Sequence, residues 1–264
     1  MRQFYLSQAC HRRRMIGPLE GYPMAEIHVL PRPNAAPTPC DNCTARSLTI
    51  CAGLSPAEQA KMAAHVATVT LQPGQMLFSE GDTAAHVYNI TSGSLSVAKS
   101  MPDGRRQIAG FLGAGDFLGV NTRTDYKVSA EALSETHLCR FPRPAFARLL
   151  EEVPCLERRL LAVAENEIAA AQEQILLLGR KTAMERIASF LLLQAARMKA
   201  RGMTDNPVLL PMTRADVGDY LGLTIETVSR CFTRLRKLDV IGLPAPDRVQ
   251  IRQVDQLRTL SEAA

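Results

Sequence analysis

The sequence predicts an α+β chain: an N-terminal antiparallel β-roll, a long dimerisation helix and a C-terminal winged helix-turn-helix. Three observations carry this. Short apolar pieces recur between glycine turns from Met76 to Phe111. An amphipathic stretch without proline or glycine runs from Leu156 to Leu178. Two capped helical segments separated by Gly222 follow Thr213. A chain of 264 residues holds two modest domains with real cores, and a hydrophobic content of 46% excludes wholesale disorder.

Taken in order, residues 1–39 are rich in proline and poor in pattern, so a disordered extension is expected there. Arg12, Arg13 and Arg14 are followed by no apolar stretch, which argues against a secretory signal, and no apolar run reaches the length of a membrane span. A cytoplasmic chain with reduced thiols is therefore expected. Residues 40–155 form the predicted sensory domain. Ser55 and Glu58 have capping-box spacing for a short helix over Pro56–Val69. Strands are expected around Met76–Phe78, Val87–Ile90, Leu95–Val97 and Ile108–Phe111. Turns fall at Pro73-Gly74, Gly81-Asp82, Ser92-Gly93, Asp103-Gly104 and Gly113–Asp116.

The period changes over 156–180. Leu160, Val163, Ile168, Ala171, Ile175 and Leu178 recur at helical steps, and Ala169–Ala171 permit close approach of a second helix. The stripe suits either packing within the chain or a homodimer. Proteins that read palindromes need two copies, which favours the dimer, with Leu160, Ile168, Ala171, Ile175 and Leu178 in the seam. Residues 181–264 form the predicted reader: a helix over Thr182–Met198, a loop over Gly202–Pro211, then the helix-turn-helix and a wing.

In the reader, Thr213 and Thr224 stand at N-cap positions, and Gly222 supplies the turn. On a helical wheel Val228, Phe232 and Leu235 pack onto Val217 and Leu221, leaving Glu226, Ser229, Arg230 and Thr233 outside. Arg230 can bond guanine O6 and N7 in bidentate fashion, and Glu226 can accept from cytosine N4. Lying four residues apart, the two can also pair with each other. A solvated face with one ion pair would read the same in isolation; between two capped helices the pattern points to double-stranded DNA. The residues expected at DNA are Thr213, Arg214, Thr224, Glu226, Thr227, Ser229, Arg230 and Arg234. The overall charge of +5 is mild, but Thr224–Leu238 carries Arg230, Arg234, Arg236 and Lys237 against Glu226 alone. Val240–Gly242 and Arg248–Ile251 flank a Pro-Ala-Pro-Asp turn as two strands of a wing would.

From about Cys40 to Val254 the chain resembles the CRP/FNR superfamily of bacterial transcription regulators, in its FNR-like branch. The most specific stretch is Met212-Thr-Arg-Ala-Asp-Val-Gly-Asp-Tyr-Leu-Gly-Leu-Thr-Ile-Glu-Thr-Val-Ser-Arg230, and Ile175-Leu-Leu-Leu is also similar. The resemblance implies a cyclic-nucleotide-binding-like roll. It also implies that Glu226, Ser229 and Arg230 read a TTGAT-type half-site in an inverted repeat, with RNA polymerase as a further partner. In nucleotide-binding relatives the roll carries a Gly-Glu pair and an Arg-Ser or Arg-Thr pair. Here it reads Gly115-Asp-Phe-Leu-Gly and Lys127-Val-Ser-Ala, without the phosphate-binding arginine, so no cyclic nucleotide is expected.

Cys40, Cys43 and Cys51 place three thiols in one short irregular segment. A 4Fe–4S cluster needs four thiolates, and Cys139, just before Arg-Phe-Pro, stands in a context similar to the family's fourth ligand. The seven residues between Cys43 and Cys51 are like the FixK/FnrN/AadR type of α-proteobacteria. Structural zinc would usually show two Cys-x-x-Cys knuckles, a regulatory disulfide needs only two thiols, and buried small hydrophobes would not cluster so. Cys155 and Cys231 suit that last reading, although oxidation of Cys231 beside Arg230 would weaken DNA binding; Cys10 lies outside the pattern. His137 is read as a structural histidine. The resemblance thus implies an oxygen-responsive regulator of anaerobic or microaerobic genes, dimerised when the cluster orders the loop. Ala171 stands where enterobacterial relatives have an aspartate, which favours persistence of the apo dimer. A cluster-free activator controlled by abundance or thiol oxidation is the alternative. No phosphate loop, nucleophile elbow or metal-hydrolase spacing suggests an enzyme.

Overall fold

A computed structural model of the chain describes residues 38–120, 124–204 and 206–262. The expected N-terminal extension and Cys10 fall almost wholly outside them. A turn-rich segment with a 3-10 turn at Arg46–Leu48 leads into α1 (Pro56–Ala63). Ser55 caps α1, its backbone N–H donating to Glu58 Oε2 at 2.8 Å while its hydroxyl accepts from Glu58 N at 3.3 Å. The expected continuation to Val69 is corrected. Ala67–Leu71 is strand β1, with three consecutive β-branched residues, Thr68, Val69 and Thr70, on a pleated surface.

The roll continues with β2 (Met76–Phe78), β3 (His86–Ser92), β4 (Ser94–Ser100), β5 (Arg106–Gly113), β6 (Phe117–Leu118), β7 (Ser129–Ala132) and β8 (Thr136–Pro142). Two antiparallel sheets, ordered β1-β8-β3-β6 and β2-β7-β4-β5, face each other over Leu71, Phe78, Tyr88, Ile90, Leu95 and Tyr126. The β3–β4 turn demands Gly93: its φ is 83°, and a Cβ there would collide with the Glu135 carbonyl.

Helix α2 (Arg143–Glu152) follows, which sequence reasoning missed. Helix α3 (Pro154–Arg180) has 27 residues, about 40 Å at the usual rise. It is held at both ends. Leu156 is buried with Ile50, Cys139, Phe141 and Phe146, whereas Leu177 packs into the reader core. Leu160 and Leu178, expected in the dimer seam, are half-buried against these two cores of their own protomer. The middle is bare, with Ile168 60% and Ile175 69% exposed.

The reader comprises α4 (Ala183–Ala200), β9 (Val208–Leu209), α5 (Arg214–Leu221), α6 (Ile225–Lys237), β10 (Ile241–Ala245), β11 (Arg248–Ile251) and α7 (Val254–Glu262). The expected loop over 202–211 contains β9, which completes a three-stranded wing sheet ordered β10-β11-β9. Helix α7 was also missed; it buries Leu257 in the reader core.

Roll and reader share that core, since Ala98, Ile108 and Phe111 of the β4–β5 hairpin pack with Phe190 and Tyr220. Polar contacts reinforce the joint. Arg106 Nε donates to Asp219 Oδ2 at 3.0 Å and its Nη2 bonds Asp216 Oδ1, while Gln107 Nε2 donates to the Asp219 carbonyl at 2.6 Å. From the other side Arg201 Nη2 reaches Asp116 Oδ2 at 2.8 Å. Asp216 is nearly buried, so removing its partner leaves a carboxylate in a poor solvent. Arg106→Ala is expected to cost about 2 kcal/mol, and Arg105→Ala, whose ion pair with Asp103 is exposed, under about 0.5 kcal/mol. Denaturant unfolding followed by far-ultraviolet circular dichroism tests this; equal losses would show that the joint is not held by Arg106.

Candidate nucleic-acid interface and cysteine site

The reader face is built by caps and one close backbone contact. Thr213 Oγ1 accepts from Asp216 N at 3.1 Å, and Asp216 Oδ2 accepts from Thr213 N at 2.8 Å, fixing the start of α5. Gly222 closes that helix in the left-handed region, φ 63° and ψ 41°. Thr224 Oγ1 then accepts from Thr227 N at 3.3 Å to open α6. Gly218, which sequence reasoning passed over, lets the chain turn back: a Cβ there would lie 2.6 Å from the Leu223 carbonyl. Its signal was a glycine inside a helical pattern, where entropy disfavours it.

With the turn so fixed, Val228, Phe232 and Leu235 are buried against Val217 and Leu221. Thr224, Glu226, Ser229, Arg230, Thr233 and Arg234 stand exposed, and a shallow groove along α6 is lined by Ser229, Arg230, Thr233, Arg234 and Lys237. Two details differ from expectation. The Glu226–Arg230 ion pair does not form among the described residues; Arg230 Nη2 donates to Thr227 Oγ1 at 3.2 Å instead. Glu226 sits in the first turn of α6. There its own backbone N–H and the Thr224 hydroxyl, with Arg230 contributing less, hold the carboxyl below its ordinary range. Arg214 does not share the free face: its guanidinium lies 3.6 Å from the Phe232 ring centroid, braced between α5 and α6.

The second site lies at the far end of α3. Cys40, Cys43 and Cys51 occupy the turn-rich segment before α1, and Cys139 lies on β8. Gln59 Nε2 donates to the Cys40 carbonyl at 3.2 Å, Arg46 bonds the same oxygen, and Thr49 Oγ1 receives Cys51 N at 3.3 Å. The segment buries Ile50 beside Cys139, and Cys51 packs on the same core. All four are free thiols, and Cys155 is buried at the start of α3. Burial first, then the charges of Cys40, Cys43 and Cys51, push the Cys139 thiol to about 12. Burial, with lesser charges from Cys40 and Cys43, raises Cys51 to about 11. Cys139 thus lies within electrostatic reach of the other three thiols. They are not drawn into a closed metal site: among the described residues no group of three or more Cys, His, Asp or Glu is placed to hold an ion.

On α3, Arg159 lies within reach of the Cys51 charge, and a Cβ on Gly53 would come within 3.1 Å of its guanidinium. His137 is an exposed, satisfied histidine between Thr70 Oγ1 at 3.0 Å and Glu135 Oε1 at 3.2 Å. Inside the roll, Phe78 and Tyr126 stack at 3.7 Å, and Tyr126 OH donates to the His86 carbonyl at 2.8 Å. No helix among the described residues is long and apolar enough to cross a membrane.

A cyclic nucleotide-binding domain profile matches residues 68–153, and a Crp-like helix-turn-helix domain profile matches residues 185–260. The chain is 40% identical over 204 residues to the nitrogen fixation regulation protein FixK of Bradyrhizobium diazoefficiens, covering 77% of this chain and 86% of that one. It belongs to the CRP/FNR family of transcription regulators. The transcriptional activatory protein AadR of Rhodopseudomonas palustris is 39% identical over 222 residues, 84% of this chain and 92% of the relative. The solved structure of FixK2 from Bradyrhizobium japonicum superposes with a TM-score of 0.70 at 33% identity, covering 75% of this chain and all but 2% of that one. The regulator is thus a DNA-binding protein and not an enzyme, with the family's roll, long helix and reader in the expected order.

At pH 8 a thiol whose pKa is about 11 holds roughly a hundredfold less thiolate than one at 9.0. Alkylation of Cys51 by iodoacetamide in the iron-free regulator is therefore expected to run about a hundredfold slower than in urea, rising with pH up to about 11. Peptide mass spectrometry reads the rates; folded and unfolded protein reacting alike would remove the burial argument.

Proposed function

We propose that the regulator responds to oxygen, controls anaerobic or microaerobic genes, and binds a TTGAT-type inverted repeat as a homodimer. In this reading Cys40, Cys43, Cys51 and Cys139 hold a 4Fe–4S cluster and no cyclic nucleotide takes part. The single observation that carries it is that the free thiols Cys51 and Cys139 share one core with the start of α3, with Cys40 and Cys43 near enough for their charges to act on Cys139. By number and chemistry they fit the group, one thiolate per iron, and high thiol pKa values make a cation the natural means of ionising them. When bound, such a cluster supplies an oxygen-labile tie between loop and roll. The chain itself does the rest. Ile50 and Cys51 share a core with Leu156 and Leu160, so the seating of the cysteine segment bears on where α3 begins. At the other end Gln174 Nε2 donates to the Tyr220 carbonyl at 2.8 Å, and Leu177 enters the reader core. The bare middle, Ile168, Ala171 and Ile175, suits a second copy of the same helix. Paired recognition helices one DNA turn apart would then face an inverted repeat, with RNA polymerase recruited beside them.

A cluster-free regulator, governed by abundance or thiol oxidation, is the second reading, and the lack of a closed metal group among the described residues favours it. Anaerobic purification with iron and acid-labile sulfide analysis separates the two. About four of each per wild-type chain and loss in Cys139→Ala support the cluster; an iron-free wild type overturns it.

Operator reading is tested separately. Arg230→Ala is expected to cost about 1–3 kcal/mol on the cognate duplex and to flatten discrimination against a scrambled one. Lys237→Ala should weaken both duplexes alike and reduce the salt slope by about 1. Unchanged discrimination in Arg230→Ala would refute Arg230 as a base reader.

A further inference from the structure

One residue in the roll has no use in what has been described so far. Asn89 lies on β3 opposite Cys139 on β8 and opposite Phe117 on β6, and Cys139 in turn faces Thr68 on β1. Thr68, Cys139, Asn89 and Phe117 thus form one row across the sheet. Directly opposed residues project from the same face, their Cβ atoms roughly 5 Å apart. Val87, two residues before Asn89 and so on that same face, packs with Cys139 and Phe117 beneath the cysteine segment.

Asn89 is only 2% exposed, and its Oδ1 has no hydrogen-bond partner. A buried carboxamide with an unanswered polar atom opposes folding, and a leucine in this apolar row would not. Cys139 stands directly opposite Asn89, so a group bound at that thiol would be the nearest candidate to answer the carboxamide. A half-turn about the terminal torsion exchanges its oxygen for its NH2 with little change of shape, placing a donor at the unanswered position.

We infer that Asn89 is a positioning residue of the cysteine site, donating an N–H hydrogen bond to the sulfur of Cys139 or a neighbouring cluster sulfide. This rests on the cluster reading given above. Such outer hydrogen bonds orient ligands and tune the lability of the bound group, commonly by tenfold or more.

The test uses the full chain, reconstituted anaerobically with ferrous iron and sulfide, as wild type, Asn89→Leu and Cys139→Ala. Asn89→Leu is expected to take up the wild-type amounts of iron and acid-labile sulfide. Its resonance Raman iron–sulfur stretching bands should shift, and its cluster absorbance should decay in air roughly tenfold faster. Its iron-free form should melt higher by about 4 °C, because the orphaned polar atom is gone. Unchanged bands and decay in Asn89→Leu, beside a loaded wild type and a cluster-free Cys139→Ala, would overturn this inference alone. An iron-free Asn89→Leu that melts below wild type, or does not fold, would overturn it by making Asn89 a residue of the fold. A wild type that takes up neither iron nor sulfide would remove the cluster reading and this inference with it.

Discussion

Everything in this regulator turns on how α3 is satisfied. Its first turn is sealed by Leu156 in the core beneath the cysteine segment, its last by Leu177 in the core of the reader. Between them lies a stretch of helix in which Leu161, Ile168 and Ile175 are exposed in the single protomer. A helix so held cannot collapse onto either domain, because each end is already packed. Its middle must find another surface or remain in water. The same geometry makes α3 a rigid link, since a change in seating at one end is carried along a rod rather than absorbed by a loop.

The joint between roll and reader limits what such a rod can do. The reader also rests on the β4–β5 hairpin through Phe111 and the Arg106 contacts to Asp216 and Asp219. Asp216 is at once the capping partner of Thr213 and the acceptor for Arg106. The first turn of the helix that carries the recognition element is therefore built partly from the sensory domain. Any displacement of the hairpin is felt at α5 before α6, and the tight Gly218–Leu223 contact passes it on without slack.

Much of this was legible in the sequence, and the reasons are physical. Local signals survived translation into structure: the caps at Ser55, Thr213 and Thr224, the turn at Gly222 and the buried stripe of Val228, Phe232 and Leu235. Each depends on neighbours within four residues. Failures arose where tertiary context decided. Residues 67–69 were read as the tail of a helix, and only pairing with β8 selects the strand. The two-residue strand β9 exists because β11 offers it an edge. Arg214, assigned to DNA from its place in the motif, also stacks over the Phe232 ring one helix away, a contact that no local signal announces. The core that Cys51 shares with Leu156 was not legible, because it joins residues about a hundred positions apart.

That shared core gives the thiols their significance. Cys51 and Cys139 are buried enough that ionising either costs more than in water, and each thiolate would raise the cost for the next. Ionising these two thiols one at a time is therefore disfavoured. On the proposed cluster reading the site would pass from neutral thiols, with the segment held by Ile50 and hydrogen bonds to its backbone, to thiolates neutralised together by the cluster. Two well-separated states at one end of a rigid helix are the minimum a switch requires. Asn89 bears on the same choice, because a buried carboxamide without a partner destabilises the empty state and would be answered in the occupied one. On this argument the fold gives up some stability in the iron-free form, so that occupancy of the thiols weighs more heavily on the position of α3.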